Sequence, residues 1–416
     1  MKKKYYLLLL ICLFTTVNIL AQTTEVAPPY NIKTVSFRNG GYNMIPIFKM
    51  GEKFTFEFDD LFGTNNDYYF TIVHCDTDWK PSDILKQDYL QGNDGVRIIN
   101  YENSFNTLQM YSHYILQIPN DNLKLLISGN YVLNILNDQQ EIVFSRRFVV
   151  YEDMVNIPIQ VKRGRDVQTM NQVQNLDFAV KMGELELQTP YRNIDLVIIQ
   201  NGDWNTAKHH IKPQYTIGND LIYKYDKETQ FYAGNEFLYF DNSNIRVVNN
   251  NIQRITLSDL YNSFLYTNLP RANQGYTYYP DIYGNFQVRN VNSQDPAIEA
   301  DYAWVYFSLQ QDEIPNKSIY ITGMFNNYLM TDENKMIYNK KTNKYEVAIL
   351  IKQGFTNYQY TLVNNKTKQI DLQNAIDGNY YQTENTYTIL AYYKGNNGRF
   401  YRAIGKGQAT SINIIN

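Results

Sequence analysis

The sequence predicts an all-β protein, built of tandem Ig-like or early-set β-sandwich domains with little helix, on three observations. Short runs alternate apolar and polar residues, those runs are rich in β-branched and aromatic side chains, and turn formers separate them at close, regular spacing. Lys53-Phe54-Thr55-Phe56-Glu57-Phe58 puts three Phe on one face and polar residues on the other. Tyr68 to Cys75 is apolar on both faces, as a central strand is. The run Ile127 to Leu136 passes through Asn137-Asp138-Gln139-Gln140 into Glu141-Ile142-Val143-Phe144, which reads as a hairpin. Tyr131 stands in it where Ig-like folds often place a corner tyrosine. These strands make a first domain over residues 22–151.

A second domain is expected over residues 152–298. Ile194 to Gln200 reads as a buried strand running into Asn201-Gly202-Asp203-Trp204, much as Phe70 to Cys75 runs into Asp76-Thr77-Asp78-Trp79. A strand ending in Asp-Trp twice suggests duplicated units. Within Asn242 to Asn251, Ile245-Arg246-Val247-Val248 is expected as a strand flanked by loops. An aromatic connector, Gly275 to Phe286, follows. A third domain over residues 299–416 is expected to hold five strands, at Trp304–Phe307, Ser318–Gly323, Tyr345–Leu350, Asn357–Leu362 and Tyr387–Tyr392. One short helix is expected around Ser82 to Gln91, with Ser82 or Asp83 near its cap.

The N-terminus carries an export signal. Lys2, Lys3 and Lys4 precede an apolar run from Leu7 to Leu20, and Ala21 before Gln22 suits a signal-peptidase cut, so residues 1–21 are expected to be a signal peptide. The run is shorter than the roughly 18–20 residues a spanning helix needs. A lipidation box at Leu9-Leu10-Ile11-Cys12 would have Ile11 where a small residue belongs. Removing the leader takes three Lys from 38 basic residues, leaving 35 against 41 acidic ones and a net charge of −6. Such a chain, with no basic block, has no counterion-release drive toward nucleic acid. Removal also takes Cys12 and leaves Cys75 alone, so no internal disulfide can form and stability must come from the core. An exported chain of this length without disulfides is ordinary for a bacterial periplasm.

Catalytic patterns are missing. His74-Cys75-Asp76-Thr77-Asp78 looks like a ligand cluster, but on a strand His74 and Asp76 share one face while Cys75 points away. No second metal motif completes it, and the bland reading is a core strand ending in a turn. His209 and His210 diverge on a strand, and His113 completes the histidine inventory of four. There is no nucleophile elbow and no phosphate loop, and Gly405-Lys406-Gly407 reads as a turn. No carboxylate pair stands out among 41 acidic residues. The expectation is therefore no catalytic residue, no cofactor and no metal. Partner-binding anchors are sought among the aromatics, namely Trp79, Trp204, Tyr276, Tyr278, Tyr279 and Tyr283, because Tyr and Trp are favoured at interfaces. Packing is the competing role for the Tyr cluster, and Trp304 is expected in a core.

Two stretches resemble a known family. The run "HCDTDWKPSDILKQDYLQG", continued by "INYENSFNTLQMYSHYILQIPN" and "ISGNYVL", is similar to the Plug proteins of the type IX secretion system of Bacteroidetes. The connector "YTYYPDIYGNFQVRN", followed by "AWVYFSL" and "IYITGMFNNY", fits the same family. The resemblance implies a non-enzymatic periplasmic protein at the inner face of the outer membrane. It would dock on the periplasmic mouth of the translocon barrel, as a monomer within that complex, and seal the pore when no cargo is present. It would be peripheral to the membrane through that partner. A smaller resemblance, in "SIYITGMFNNYLM" and "KYEVAILIKQGFTNYQYTLVNN", is to the early-set sandwich of glycogen- and starch-binding modules. There a Trp ends the Gly-x-Phe-Asn-x-Trp segment, whereas Tyr328 stands here. The alternative it implies is a carbohydrate-binding accessory protein of the cell envelope. An outer-membrane barrel fits less well, because strands are apolar on both faces and the chain ends in Asn416.

Overall fold

Alternating runs become paired strands throughout the computed structural model, which describes residues 25–249, 251–412 and 414. The signal peptide expected at 1–21 lies outside the described residues. Strand makes up 46% and helix 5%, so the fold is mostly β, in several largely antiparallel sheets. The expected helix shrinks to one turn, Lys86–Tyr89, capped by Leu85 rather than Ser82 or Asp83, with the Asp88 carboxylate accepting from the Leu85 N–H. No described helix is long and apolar enough to cross a membrane.

The first unit packs two five-stranded sheets on one core. One sheet is ordered Tyr42–Asn43, Ile32–Asn39, Phe54–Asp60, Ser112–Ile118, Tyr101–Asn103, and the other Ile47–Lys49, Ile142–Tyr151, Gly129–Leu136, Tyr69–Cys75, Val96–Arg97. Phe54, Phe56 and Phe58 project from the first sheet into this core, as the alternation requires, and Phe144 and Phe148 meet them from the second. Tyr131 stacks on Phe148 at 5.3 Å and donates its hydroxyl to the Ile127 carbonyl at 2.6 Å.

The middle unit departs from the linear order of the sequence. Its second sheet runs Asp203–His209, Ile194–Gln200, Thr386–Tyr393, Arg402–Thr410. The last of the five strands expected in the third domain, Tyr387 to Tyr392, therefore lies beside Ile194–Gln200 and not with the other four. Both strands are buried on their two faces, and each supplies what the other needs as a neighbour. Between these passages the chain builds a third pair of sheets. One groups Leu238–Asp241, Phe286–Val288 and Lys317–Thr322 around Gly354–Asn364, and the other centres on Tyr302–Leu309 and Lys344–Lys352. Ile245 to Val248 forms a turn rather than a strand, because Asp241 and Asn244 accept from the N–H of Ser243 and Arg246 and close local turns.

Candidate functional site

Apolar residues on both faces of a strand need a second partner beyond the core, and here that partner is another unit. The outer face of Tyr69–Cys75, Gly129–Leu136 and Ile142–Tyr151 offers Cys75, Val132 and Val149. Against it the middle unit sets Val197, Ile199, Leu390 and Tyr392. Trp79 and Trp204 meet in this junction, edge to face at 5.0 Å, and the Arg147 guanidinium lies 4.7 Å over the Trp79 ring. Trp79 is only 3% exposed, so it is withdrawn as a partner-binding anchor, and Trp204 is half-buried. The two Asp-Trp pairs also differ locally: Trp79 sits in a turn at φ +64°, while Trp204 lies inside the strand Asp203–His209. Tyr392 donates to Asn130 across the junction at 2.7 Å, and His210 bridges Asp195 at 2.6 Å and Asp78 at 2.9 Å.

A second junction ties the first unit to the third, and sequence reasoning missed it. Thr55, Glu57 and Asp59 form the polar face opposite the three Phe, and the third unit covers part of that face. Asp59 is fully buried. Its carboxylate takes the Lys352 ammonium at 2.6 Å, the Tyr302 hydroxyl at 2.6 Å and lies 2.6 Å from His113 Nδ1. Burial alone would raise the Asp59 pKa, but Lys352 and His113 together hold it below the ordinary carboxylate value. Lys352 also donates to the Ala297 carbonyl at 2.6 Å and sits 4.1 Å over the Tyr111 ring. The only signal in the sequence is the pair Asp59-Asp60 ending a strand of Phe.

The aromatic connector lies across the two passages between middle and third units. Tyr276 donates to the Glu236 carboxylate on the outbound passage, and its hydroxyl lies 3.3 Å from the Gln382 carbonyl on the return. Asp281 accepts from the Phe237 N–H at 2.7 Å. Gly284, at φ +78°, lets the connector approach closely, since a Cβ there would stand 2.3 Å from the Tyr328 hydroxyl. Tyr276 and Tyr283 are half-buried in this clasp, whereas Tyr278 and Tyr279 are each 51% exposed. Of the aromatics expected to face a partner, these two are the most open. Tyr328 is 3% exposed and donates to the Asn201 carbonyl at 3.0 Å, so it offers no stacking platform to a sugar.

Glu236 is the unusual group of the clasp. It is buried, its Oε1 accepts from Tyr276 and from the Glu384 N–H at 3.1 Å, and its Oε2 has no partner among the described residues. Burial pushes its pKa up to about 7. A carboxyl whose folded pKa exceeds the unfolded value of about 4.3 favours the fold most below that value, and the benefit fades as pH rises through the folded pKa. Glu236→Gln is therefore expected to change stability little at pH 5 and to raise it relative to the native chain at pH 8. Melting curves of both proteins across that range check this.

His74 and Cys75 end a core strand. His74 Nδ1 lies 2.9 Å from the Ser82 hydroxyl, and burial pushes the imidazole pKa down to about 4 and the Cys75 thiol up to about 12. A thiol held protonated in this way is a poor nucleophile. Among the described residues no group of three or more His, Cys, Asp or Glu could hold a metal ion.

Residues 32–152 match the family model for the first domain of type 9 secretion system plug proteins. Among solved structures, the chain is similar to a hypothetical protein from Parabacteroides merdae, whose crystal structure is at 2.30 Å resolution. The two are 30% identical with a TM-score of 0.89, over 94% of this chain and 100% of that one. No curated protein matches the chain.

Proposed function

Because the chain belongs to the type 9 secretion system plug family, we propose that it is a non-enzymatic plug that docks on the periplasmic mouth of the translocon barrel and seals the pore when no cargo is present. Family membership supports a cell-envelope location, and the reading adds the periplasm, at the inner face of the outer membrane. Each unit is read as an Ig-like or early-set sandwich, and in the first unit the Tyr131 bond to Ile127 supports that reading. The observation that carries the function is the locking of the first unit onto both of the others. Trp79 with Trp204 closes one junction and Asp59 with Lys352 the other. A stopper works by shape, and a body that flexed between units would lose complementarity to a rim and pay ordering entropy on docking. Tyr278 and Tyr279 are proposed as anchors on the barrel, with Tyr276 and Tyr283 holding their connector and Trp204 stiffening the body beneath.

The test is co-purification from detergent extracts of cells lacking secretion cargo. A tagged chain is expected to recover the translocon barrel, and the double variant Tyr278→Ala, Tyr279→Ala to recover several-fold less while melting at the native temperature. Deletion is expected to leave secretion largely working and the outer membrane leaky to large solutes. A tagged native chain that never brings down the barrel would sink the reading.

A further inference from the structure

Strand Ile142–Tyr151 breaks its own pattern at one position. Phe144, Phe148 and Val150 face the first unit's core, and Arg146 stands on the same face between them. Its cross-strand partner Leu133 is a fully buried core residue. Arg146 is 6% exposed, yet its guanidinium makes no hydrogen bond among the described residues, and its Nε is buried without a partner. The nearest carboxylate, Glu25, lies 3.9 Å from Nη1 and is already engaged by the Arg147 N–H at 2.6 Å and by Asn327 at 2.9 Å. A buried guanidinium without a close hydrogen-bonded partner destabilises the fold, because its lost hydration is not repaid. Places where a sequence breaks a local rule without local compensation are where function is expected.

Beside Arg146 a cleft of about 100 Å³ opens between the first and third units. A bulge in strand Ile32–Asn39, with Thr34 at φ +52°, leaves the opening in the first unit. Phe325, Leu329 and Ile349 line the third unit's wall. At the rim Lys33 pairs with Glu333 at 2.7 Å, and at the floor Lys352 pairs with Asp59 at 2.6 Å. Those cations are paired at 2.7 and 2.6 Å, so the least compensated positive charge in the cleft belongs to Arg146, whose one carboxylate neighbour lies at 3.9 Å.

We propose that this cleft is a binding site for a carboxylate carried on a small apolar group, with the Arg146 guanidinium taking the carboxylate and the third unit's wall taking the apolar part. Arg suits the role because its planar donors match both carboxylate oxygens. The ligand would bridge two units and so stabilise their junction, independently of whether the chain seals a pore. Two sources carry this chemistry: a free small carboxylate, and the C-terminus of a polypeptide.

The test measures melting temperature and calorimetric affinity of the full chain with butyrate, with acetyl-Ala-Leu bearing a free carboxylate, and with the matching amides. At least one acid is expected to raise the melting temperature in a saturable way, with its amide inert. Binding of butyrate points to a metabolite, and binding of acetyl-Ala-Leu alone to a polypeptide terminus. Arg146→Met is expected to weaken that binding by about tenfold or more, the loss of a charge-assisted contact. Leu329→Trp narrows the cleft without touching the guanidinium, is expected to weaken binding equally, and serves if Arg146→Met fails to fold. Acids and amides acting alike, undiminished binding by either variant, or no response to either acid would each overturn the proposal.

Discussion

Lys352→Ala is expected to destabilise the protein by about 3–5 kcal/mol, the cost of leaving a buried charge without its partner. Lys352 and Asp59 are both buried, 2.6 Å apart, at the junction of the first and third units. Without the ammonium, Asp59 keeps only the Tyr302 hydroxyl and His113, and the Ala297 carbonyl loses the ammonium it accepts from. The melting temperature should fall by about 4–6 °C, judged from the entropy scale of a folded chain of this length. The pH dependence identifies the cause. Asp59, held below its ordinary pKa by Lys352 and His113, contributes stability above the unfolded value of about 3.9 that is lost as pH falls through the folded one. Removing Lys352 deletes that contribution, so the deficit should be full from neutrality down to about pH 4 and narrow only as pH falls below that value. The double variant Asp59→Asn, Lys352→Met removes both charges and should recover much of the loss, since an apolar or neutral replacement of a whole pair is often tolerated. A deficit that does not narrow as pH falls from about 4 toward 2 would point to lost packing of the lysine stem instead.

Trp79→Ala is expected to cost about 3–5 kcal/mol through a cavity in the other junction. The indole fills the space between the first unit's outer sheet face and the middle unit, edge to face with Trp204 and under Arg147. Its removal takes area from both sides, and an edge-to-face pair contributes about 0.5–1.5 kcal/mol beyond its area. Trp79→Phe should lose less than half as much. The two variants are distinguishable by limited proteolysis. Trp79→Ala should expose the segment near residues 152–156, where the chain passes from the first unit to the middle one, while Lys352→Ala should leave that segment protected.

The strands of the first unit were legible because period-2 alternation reports directly on which face is apolar. Phe54, Phe56 and Phe58 fall into the core as their spacing requires, and the hairpin through Asn137 to Gln140 forms where turn residues interrupt the pattern. Residues 32–152, which match a family model, also carry the stretch whose resemblance was most specific. The aromatics were harder. Trp79 and Trp204 looked alike because both follow Asp beyond a strand, but alternation says nothing of what lies outside a unit. Tyr328 stands where sugar-binding modules carry a stacking Trp, and its hydroxyl is enclosed beside Gly284. Arg146 could have been found as a charge on an apolar face between Phe144 and Phe148.

By itself the sequence determined the β class, the local strand faces and the resemblance that the plug family model bears out over residues 32–152. Tertiary structure decided that Thr386–Tyr393 pairs with Ile194–Gln200, that the polar face around Asp59 meets Lys352 instead of water, and that Tyr278 and Tyr279 stay open while Trp79 is enclosed. The reason is one of range. Periodicity is set by neighbours a few residues apart, whereas pairing across nearly two hundred residues, and the docking of one unit on another, depend on surfaces that exist only once each unit has folded.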